Sequence, residues 1–398
     1  MSTIRCLRTY RLPDRPSLIW LELETSDGLV GLGETFRGAV SVETCLHDEL
    51  APWLLGRDAR HIEGISRHLL TPYVGYNGSG VEVRSASAID IALWDLAGQR
   101  QGVPIHEALG GAARESVQVY NTCAGYAYNT NGGRRDIGDE DKPQGPYDDQ
   151  VAFMHDAGEL ARSLLDEGYK AMKIWPFDIY APKSGGHLIS LPDLEKGLAP
   201  FRKIREAVGN KIEVMCELHS LFGGHSALRI CQALEDYDVF WVEDPLCKMD
   251  DHVALADLRR RTRVPVCGSE TLGGLRPFRD LLANDALDVV MLDLAWCGGF
   301  SEGRKIAALA QAYNRPLAPH DCTGPVTLMA GLQMALHAPT AIYQEVVRAT
   351  LATWYRDIVT DLPVIRDGMA QPTVAAGLGT RLAEGFKERP DLIVRESR

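Results

Sequence analysis

Long apolar runs are missing from this 398-residue chain. No stretch approaches the roughly 18 consecutive apolar residues that a membrane-spanning helix needs, so none is expected. The opening residues MSTIRCLRTYRLPDRPS carry no apolar signal-peptide core, which points to a cytoplasmic location. Glycine-rich phosphate fingerprints, GxGxxG or GxxxxGKS, are also missing, which removes the usual signature of dinucleotide and P-loop nucleotide binding. The nine cysteines are scattered, odd in number and never spaced as CxxC. A disulfide framework or thiolate zinc site is therefore disfavoured, and a reducing compartment is expected. Basic charge is short: 42 Lys and Arg face 54 Asp and Glu, a formal net charge of -12. Nucleic acid and anionic membrane reward clustered cations and are poor partners for such a chain. The remaining composition, 45% hydrophobic and 24% charged, is that of a globular protein long enough to bury a large core in two domains.

Three kinds of pattern follow one another along the chain. SLIWLELET and GLVGLGETF, split by a turn signal, predict an antiparallel hairpin. From about residue 41 to 110, segments such as SVETCLHDELAPWLLG and VRSASAIDIALWDLAGQRQG space apolar residues at helical intervals. Eight short apolar segments then alternate with amphipathic ones. They are 116–123, 170–175, 212–218, 238–244, 265–270, 288–294, 315–320 and 341–346. Eight strands alternating with helices fit a TIM-like (β/α) barrel, with a doubly wound sheet as runner-up. The expected division is an α+β unit over 1–115, a barrel over 116–357, and a tail, 358–398, returning to the first unit. Two Gly-rich or polar insertions, 129–149 and 178–193, fall where βα loops form and read as lids or as solvated excursions.

Acids recur at strand ends. Glu217 closes VMCE, Glu243 closes FWVE and Glu270 follows PVCGS. Asp293, His320 and Glu345 then end three later strands. Successive members are 26, 27, 23, 27 and 25 residues apart, one βα unit each. In a barrel these ends share one rim, the face where barrel enzymes do chemistry. One acid after an apolar strand is ordinarily a cap or turn residue. Three in register would repel and raise one another's pKa unless a cation holds them. An all-oxygen set favours a hard ion, Mg²⁺ ahead of Zn²⁺, with Mn²⁺ as the alternative. Strand side chains at i and i+2 share a face, which groups Glu217 with His219 and Lys173 with Trp175. Asp293 beside His320 would fix the imidazole tautomer and raise its basicity, as suits a general base.

The ordered set KAMKIW, MCELHS, WVEDP, GSET, LDLAWCGG, APHD and YQE, with SAIDIALWDLAGQRQGVPIHEALGG upstream, resembles the enolase superfamily and within it the mandelate racemase-like subgroup. The resemblance spans nearly the whole chain. It implies a (β/α)7β barrel beneath an α+β capping domain built from both chain ends. It implies Mg²⁺ on Glu217, Glu243 and Glu270, and abstraction of the proton α to a carboxylate to give an enediolate. Members of the group are commonly homo-oligomers.

Departures from the family pattern narrow the reaction. Where many members have Lys-x-Lys, this chain has Lys173 and Trp175, and indole cannot accept a proton. One of the two bases needed for racemisation is thus replaced. Lys173 is left to neutralise the substrate carboxylate. Glu-Leu-His at 217–219 looks like the Asp-x-His of the acid-sugar dehydratases, whose histidine is the general acid. The resemblance then implies that His320, oriented by Asp293, takes the α-proton. His219 protonates the leaving β-hydroxyl, and Glu345 hydrogen-bonds the carboxylate oxygen as charge builds. The expected reaction is dehydration of an aldonate-type sugar acid to a 2-keto-3-deoxy acid. The alternatives are an epimerase, racemase or cycloisomerase of a similar acid, with His219, Tyr126 or Tyr128 as the second acid–base group, and an inactive metal-binding homologue. Arg37, Tyr76 and Asn77, in cap-loop segments, are candidates to meet substrate hydroxyls alongside Trp175.

Overall fold

The computed structural model describes residues 2–71, 78–128, 130, 142–145 and 147–398. Chain order begins with three antiparallel strands, β1 (Ile4–Leu12), β2 (Arg15–Thr25) and β3 (Val30–Phe36). The β2–β3 pair is the hairpin read from the sequence, with Leu18 opposite Phe36 and Leu23 opposite Gly31. β1 joins its other side. Helix Val81–Gln101 lies across β3 at unusually short range. Gly31 and Gly33 make this possible, since a Cβ on either would strike the backbone carbonyl of Ala92 or Ala88.

The periodicity of that helix predicts an apolar stripe, but the helix is buried nearly all round, including Asp90 and Asp95. It is sandwiched between the cap sheet and the barrel, and both of its buried aspartates accept backbone amides from other elements. The Asp95 carboxylate accepts from Leu32 N at 2.9 Å and from Leu378 N at 2.8 Å, tying both ends of the chain to one side chain. Asp90 accepts from Ser301 N at 2.9 Å, in the first turn of barrel helix Gly299–Ala312. Glu34 on β3 accepts from Thr327 N at 2.9 Å and Thr327 Oγ1 at 2.7 Å, in the first turn of helix Pro325–His337. Two cap carboxylates therefore satisfy free amides at the N-termini of two barrel helices and seat the cap on the barrel.

The barrel strands are β4 (Val117–Thr122), β5 (Ala171–Ile174), β6 (Glu213–Glu217), β7 (Val242–Glu243), β8 (Val266–Gly268), β9 (Val289–Leu292), β10 (Leu317–Pro319) and β11 (Gln344–Val346). Each lies inside one of the eight segments expected from sequence. The paired spans are shorter because the apolar runs continue beyond the hydrogen-bonded ladder. β4 to β10 pair in parallel in chain order. β11 pairs with β4, Glu345 opposite Tyr120, and a parallel bridge from Leu317 to Ala341 brings the remaining seam together. A helix follows each of β4 to β10, whereas β11 leads only into the short helix Arg348–Ala352, the (β/α)7β pattern.

Two features complete the frame. Tyr120, Trp241, Tyr343 and Phe240 pack together, four of their pairs edge to face with centroids 5.5 to 6.1 Å apart, and floor the space beneath the rim. The tail then does two things. Hairpin β12 (Val364–Arg366) and β13 (Met369–Gln371) adds to the start of β4, whereas β14 (Ile393–Ser397) runs antiparallel to β1 in the cap sheet. Among the described residues no helix is long and apolar enough to cross a membrane.

Candidate active site

The rim above the aromatic floor is where the acids gather. Trp241, just before β7, and Glu243 are two residues apart and share one face of the segment. The indole Nε1 donates to Glu243 Oε2 at 3.0 Å. Glu217, on the neighbouring β6, pairs in register with Glu243. Glu270 follows β8. One ligand oxygen from each of the three lies within 4.8 Å of the others. Lys173 on β5 reaches into this group from below. Its buried ammonium donates to Glu217 Oε2 at 3.2 Å and to Glu243, and lies 2.9 Å from Glu345 Oε1.

Five carboxylates, those of Glu217, Glu243, Glu270, Asp293 and Glu345, therefore meet around one ammonium and one imidazole. The charge imbalance is visible in the proton affinities. Burial and the negative charge of Glu217 push Glu243 well above the ordinary carboxylate range. Burial acts the same way on Glu217, but His219 and Lys173 outweigh it and hold that carboxyl low. Three converging oxygens with excess negative charge suit a hard divalent cation, and the donor set fits Mg²⁺ or Mn²⁺ in kind.

His320 follows β10. Its Nδ1 is 2.7 Å from Asp293 Oδ2, which also accepts from Thr323 Oγ1 at 2.9 Å. Asp293 Oδ1 accepts from Ala295 N at 2.7 Å. With Asp293 pinned this way, the proton on Nδ1 is fixed and Nε2 faces the acids, 2.7 Å from Glu270 Oε2 and 3.8 Å from Glu345 Oε2. Burial favours the neutral ring, but Glu270, Glu345 and Asp293 outweigh it and raise His320 well above its ordinary pKa. Glu345 is itself held by Lys173, by Thr122 Oγ1, and by Asp321 N at 3.1 Å.

His219 stands across the barrel from His320, four strands round the ladder. It and Ser220 adopt left-handed backbone angles, φ 47° and 56°, a conformation rare for such residues and concentrated at functional sites. Hydrogen bonds fix the turn: His219 N to Glu217 Oε1 at 2.6 Å and Ser220 N to Asp244 O at 2.8 Å. The imidazole Nδ1 lies 2.7 Å from Asp178 Oδ2. Asp178 opens the short 3₁₀ turn Asp178–Lys183 after β5, anchored by Phe177 stacked on Phe201 at 6.2 Å.

Sequence patterning pointed to the residues at strand ends and missed Asp178, which lies in the 178–193 insertion. An acid in a loop has no periodicity to mark it. Thr323, Thr122 at the end of β4 and Arg84 on the cap helix were also missed. Among the expected substrate contacts, Trp175 is buried and packs its ring at 5.5 Å from His219, and its Nε1 bonds no partner among the described residues. Arg37 is exposed just beyond β3, with a left-handed φ of 74°. Tyr76 and Asn77 lie outside the described residues. Tyr128, weighed as an alternative acid–base group, packs 5.9 Å from Trp175.

A capped parallel barrel with a carboxylate rim and an Asp–His pair defines an architecture, and comparison with known proteins gives the family. Residues 13–110 match the mandelate racemase / muconate lactonizing enzyme N-terminal domain, and residues 156–385 match the enolase C-terminal domain-like family. The chain belongs to the enolase superfamily, in its mandelate racemase-like subgroup. A D-xylonate dehydratase of Haloferax volcanii is 30% identical over 371 residues, covering 92% of this chain and 83% of the relative. A D-galactonate dehydratase of Ralstonia nicotianae is 29% identical, covering 96% and 92%. The crystal structure of an enolase protein from Sargasso Sea environmental sequencing is 58% identical with a TM-score of 0.89, covering 100% of this chain and 99% of that one. An enolase of the mandelate racemase subgroup from Agrobacterium tumefaciens is 44% identical with a TM-score of 0.88, covering 99% and 98%.

Proposed function

We propose that the protein is a Mg²⁺-dependent hydro-lyase that dehydrates a sugar acid to a 2-keto-3-deoxy acid. One observation carries this reading: two imidazoles, each paired with its own aspartate, follow strands four apart round a rim that also carries a triad of glutamates. The named activities of the curated relatives, dehydration of D-xylonate, D-galactonate and D-mannonate, support it and suggest an acid-sugar substrate.

Glu217, Glu243 and Glu270 would hold the ion. When bound, a divalent cation there supplies positive charge to the substrate carboxylate as its second negative charge develops, and offsets the glutamate field that keeps His320 protonated. His320 Nε2 then removes the α-proton, with Asp293 stabilising the imidazolium. Lys173 offsets the charge of the substrate carboxylate, and Glu345 holds the Lys173 ammonium at that end of the substrate. His219, with Asp178 behind it, protonates the departing β-hydroxyl. The enol left by loss of water tautomerises to the keto acid. Trp175, where a second lysine base would stand, closes the wall and takes no proton.

The same two dyads favour one second reading. A base and an acid on opposite sides of a carbon can also exchange its proton from one face to the other, which is epimerisation. Purified protein incubated with Mg²⁺ and a panel of aldonates separates the two. Formation of a 2-keto acid supports dehydration, and deuterium incorporation at C2 without loss of water supports epimerisation. A homo-oligomer and a cytoplasmic setting belong to the same proposal.

A further inference from the structure

Arg84 enters the site from the cap. It lies in the first turn of helix Val81–Gln101, and its guanidinium stacks over the Trp296 indole, 4.5 Å from the ring centroid. Trp296 lies 5.4 Å from the His320 ring. Two stacking steps of 4.5 and 5.4 Å thus leave the guanidinium less than about 10 Å from the base. One N–H donates to the Phe36 carbonyl at 2.9 Å. Among the described residues no carboxylate pairs with Arg84. The acids whose charge it feels, Asp293 and Glu270, are engaged by His320. Arg37 is close enough to act as a second like charge. Trp296 Nε1, a buried donor in the same wall, bonds no partner among the described residues.

A largely desolvated guanidinium without a counter-ion is costly, and an anion that completes it recovers a charge-assisted bidentate bond. We propose that Arg84, with Arg37 beside it, receives a second anionic group at the end of the substrate remote from the reacting carboxylate. The preferred sugar acid is then a dianion, an aldarate-type diacid in the first instance, and not the corresponding aldonate. This deepens the dehydratase reading and rests on it for the placement of the reacting end. The Trp296 ring lies between the guanidinium and the His320 imidazole. A planar guanidinium matches a terminal carboxylate, whereas a terminal hydroxymethyl leaves its donors unmet, and sites built around a charged or polar group discriminate strongly against analogues lacking it.

The test has a kinetic arm and a binding arm. Aldarates, aldonates and phosphate-terminated aldonates of matched chain length and configuration are assayed with the Mg²⁺-loaded wild type, Arg84→Gln and Arg84→Lys. A dianion is expected to exceed its matched aldonate in kcat/KM by about 100-fold or more, and Arg84→Gln is expected to shrink that ratio to within about tenfold, with Arg84→Lys intermediate. The phosphate arm tells whether the remote group is carboxylate or phosphate. Calorimetric binding of the same acids to Mg²⁺-loaded His320→Asn reads recognition without turnover, and thermal melts confirm that the variants are folded. A dianion that binds in an Arg84-dependent way but is not dehydrated by wild type upholds the recognition site and sinks the dehydratase reading. Aldonates dehydrated at least as well as dianions, with a ratio indifferent to Arg84, overturn the proposal and leave the dehydratase standing. Failure of every acid both to bind and to react overturns both.

Discussion

Asp178 Oδ2 and His219 Nδ1 are 2.7 Å apart, the same separation as Asp293 Oδ2 and His320 Nδ1 on the far side of the barrel. A partner carboxylate on Nδ1 leaves Nε2 as the working atom and stabilises the protonated ring. One pair suits a base that becomes charged during the reaction. The other suits an acid that starts charged.

Asp178→Asn should therefore weaken the acid without touching the base. Dehydration is expected to slow by about 10²- to 10³-fold, within the range set by general acid catalysis. Elimination from a 3-deoxy-3-fluoro analogue, whose leaving group needs no proton, should slow by less than about tenfold. Equal losses on both substrates would show that Asp178 serves only the local fold.

His320→Asn should remove the first step altogether. The expected result is a fall in turnover by about 10³-fold or more, with loss of α-proton exchange in deuterated water. Asp293→Asn should mimic it at lower severity, because the ring remains but its tautomer is no longer fixed. Exchange that survives His320→Asn would assign the proton abstraction to another group.

Metal binding should be readable without substrate. A ligand bound only by the folded state stabilises it by about 2.7 kcal/mol when present at 100 times its Kd. Saturating Mg²⁺ should therefore raise the thermal midpoint by several degrees, and a chelator should reverse the rise. Glu243→Gln and Glu270→Gln should each abolish most of that rise. A midpoint indifferent to Mg²⁺ and Mn²⁺ alike would remove the ion from the account.

Glu34 gives a pH dependence with a definite sign. Burial, opposed by the Thr327 hydroxyl and the Thr327 and Val326 amides, lifts its pKa to about 7, against an unfolded value of about 4.3. The folded state then binds the proton more tightly. The contribution is most favourable below about pH 4, falls as pH rises through the folded value, and is constant above it, a span of about 4 kcal/mol at most. Glu34→Gln lacks this titration and keeps an acceptor for Thr327. The variant's thermal midpoint minus that of wild type should be more positive at pH 8 than at pH 5. A difference that does not move with pH would place the titration elsewhere.

What the sequence made legible follows from periodicity. Glu217, Glu243, Glu270, Asp293 and His320 each end or follow a short apolar strand, Lys173 and Glu345 lie near the ends of theirs, and parallel strands carry such positions to one rim. Their approximate meeting place could be inferred from spacing alone. Asp178, Arg84 and Glu34 act through contacts made between separate units of the fold. Asp178 reaches His219 only because the turn after β5 folds beside β6. Arg84 depends on how the cap sits, and Glu34 on a helix roughly 290 residues away. The helix Val81–Gln101 was recognisable as a helix, but its burial on every side was not, because small residues and paired acids mimic a solvated face.

The most direct test follows a sugar acid by proton NMR in deuterated water with the Mg²⁺-loaded enzyme, beside His320→Asn and a chelated control. The account expects a 2-keto-3-deoxy acid carrying deuterium at C3 from wild type and no product from the other two. Recovery of unchanged or C2-epimerised acid with all its hydroxyls, under conditions where the ion is bound, would contradict it.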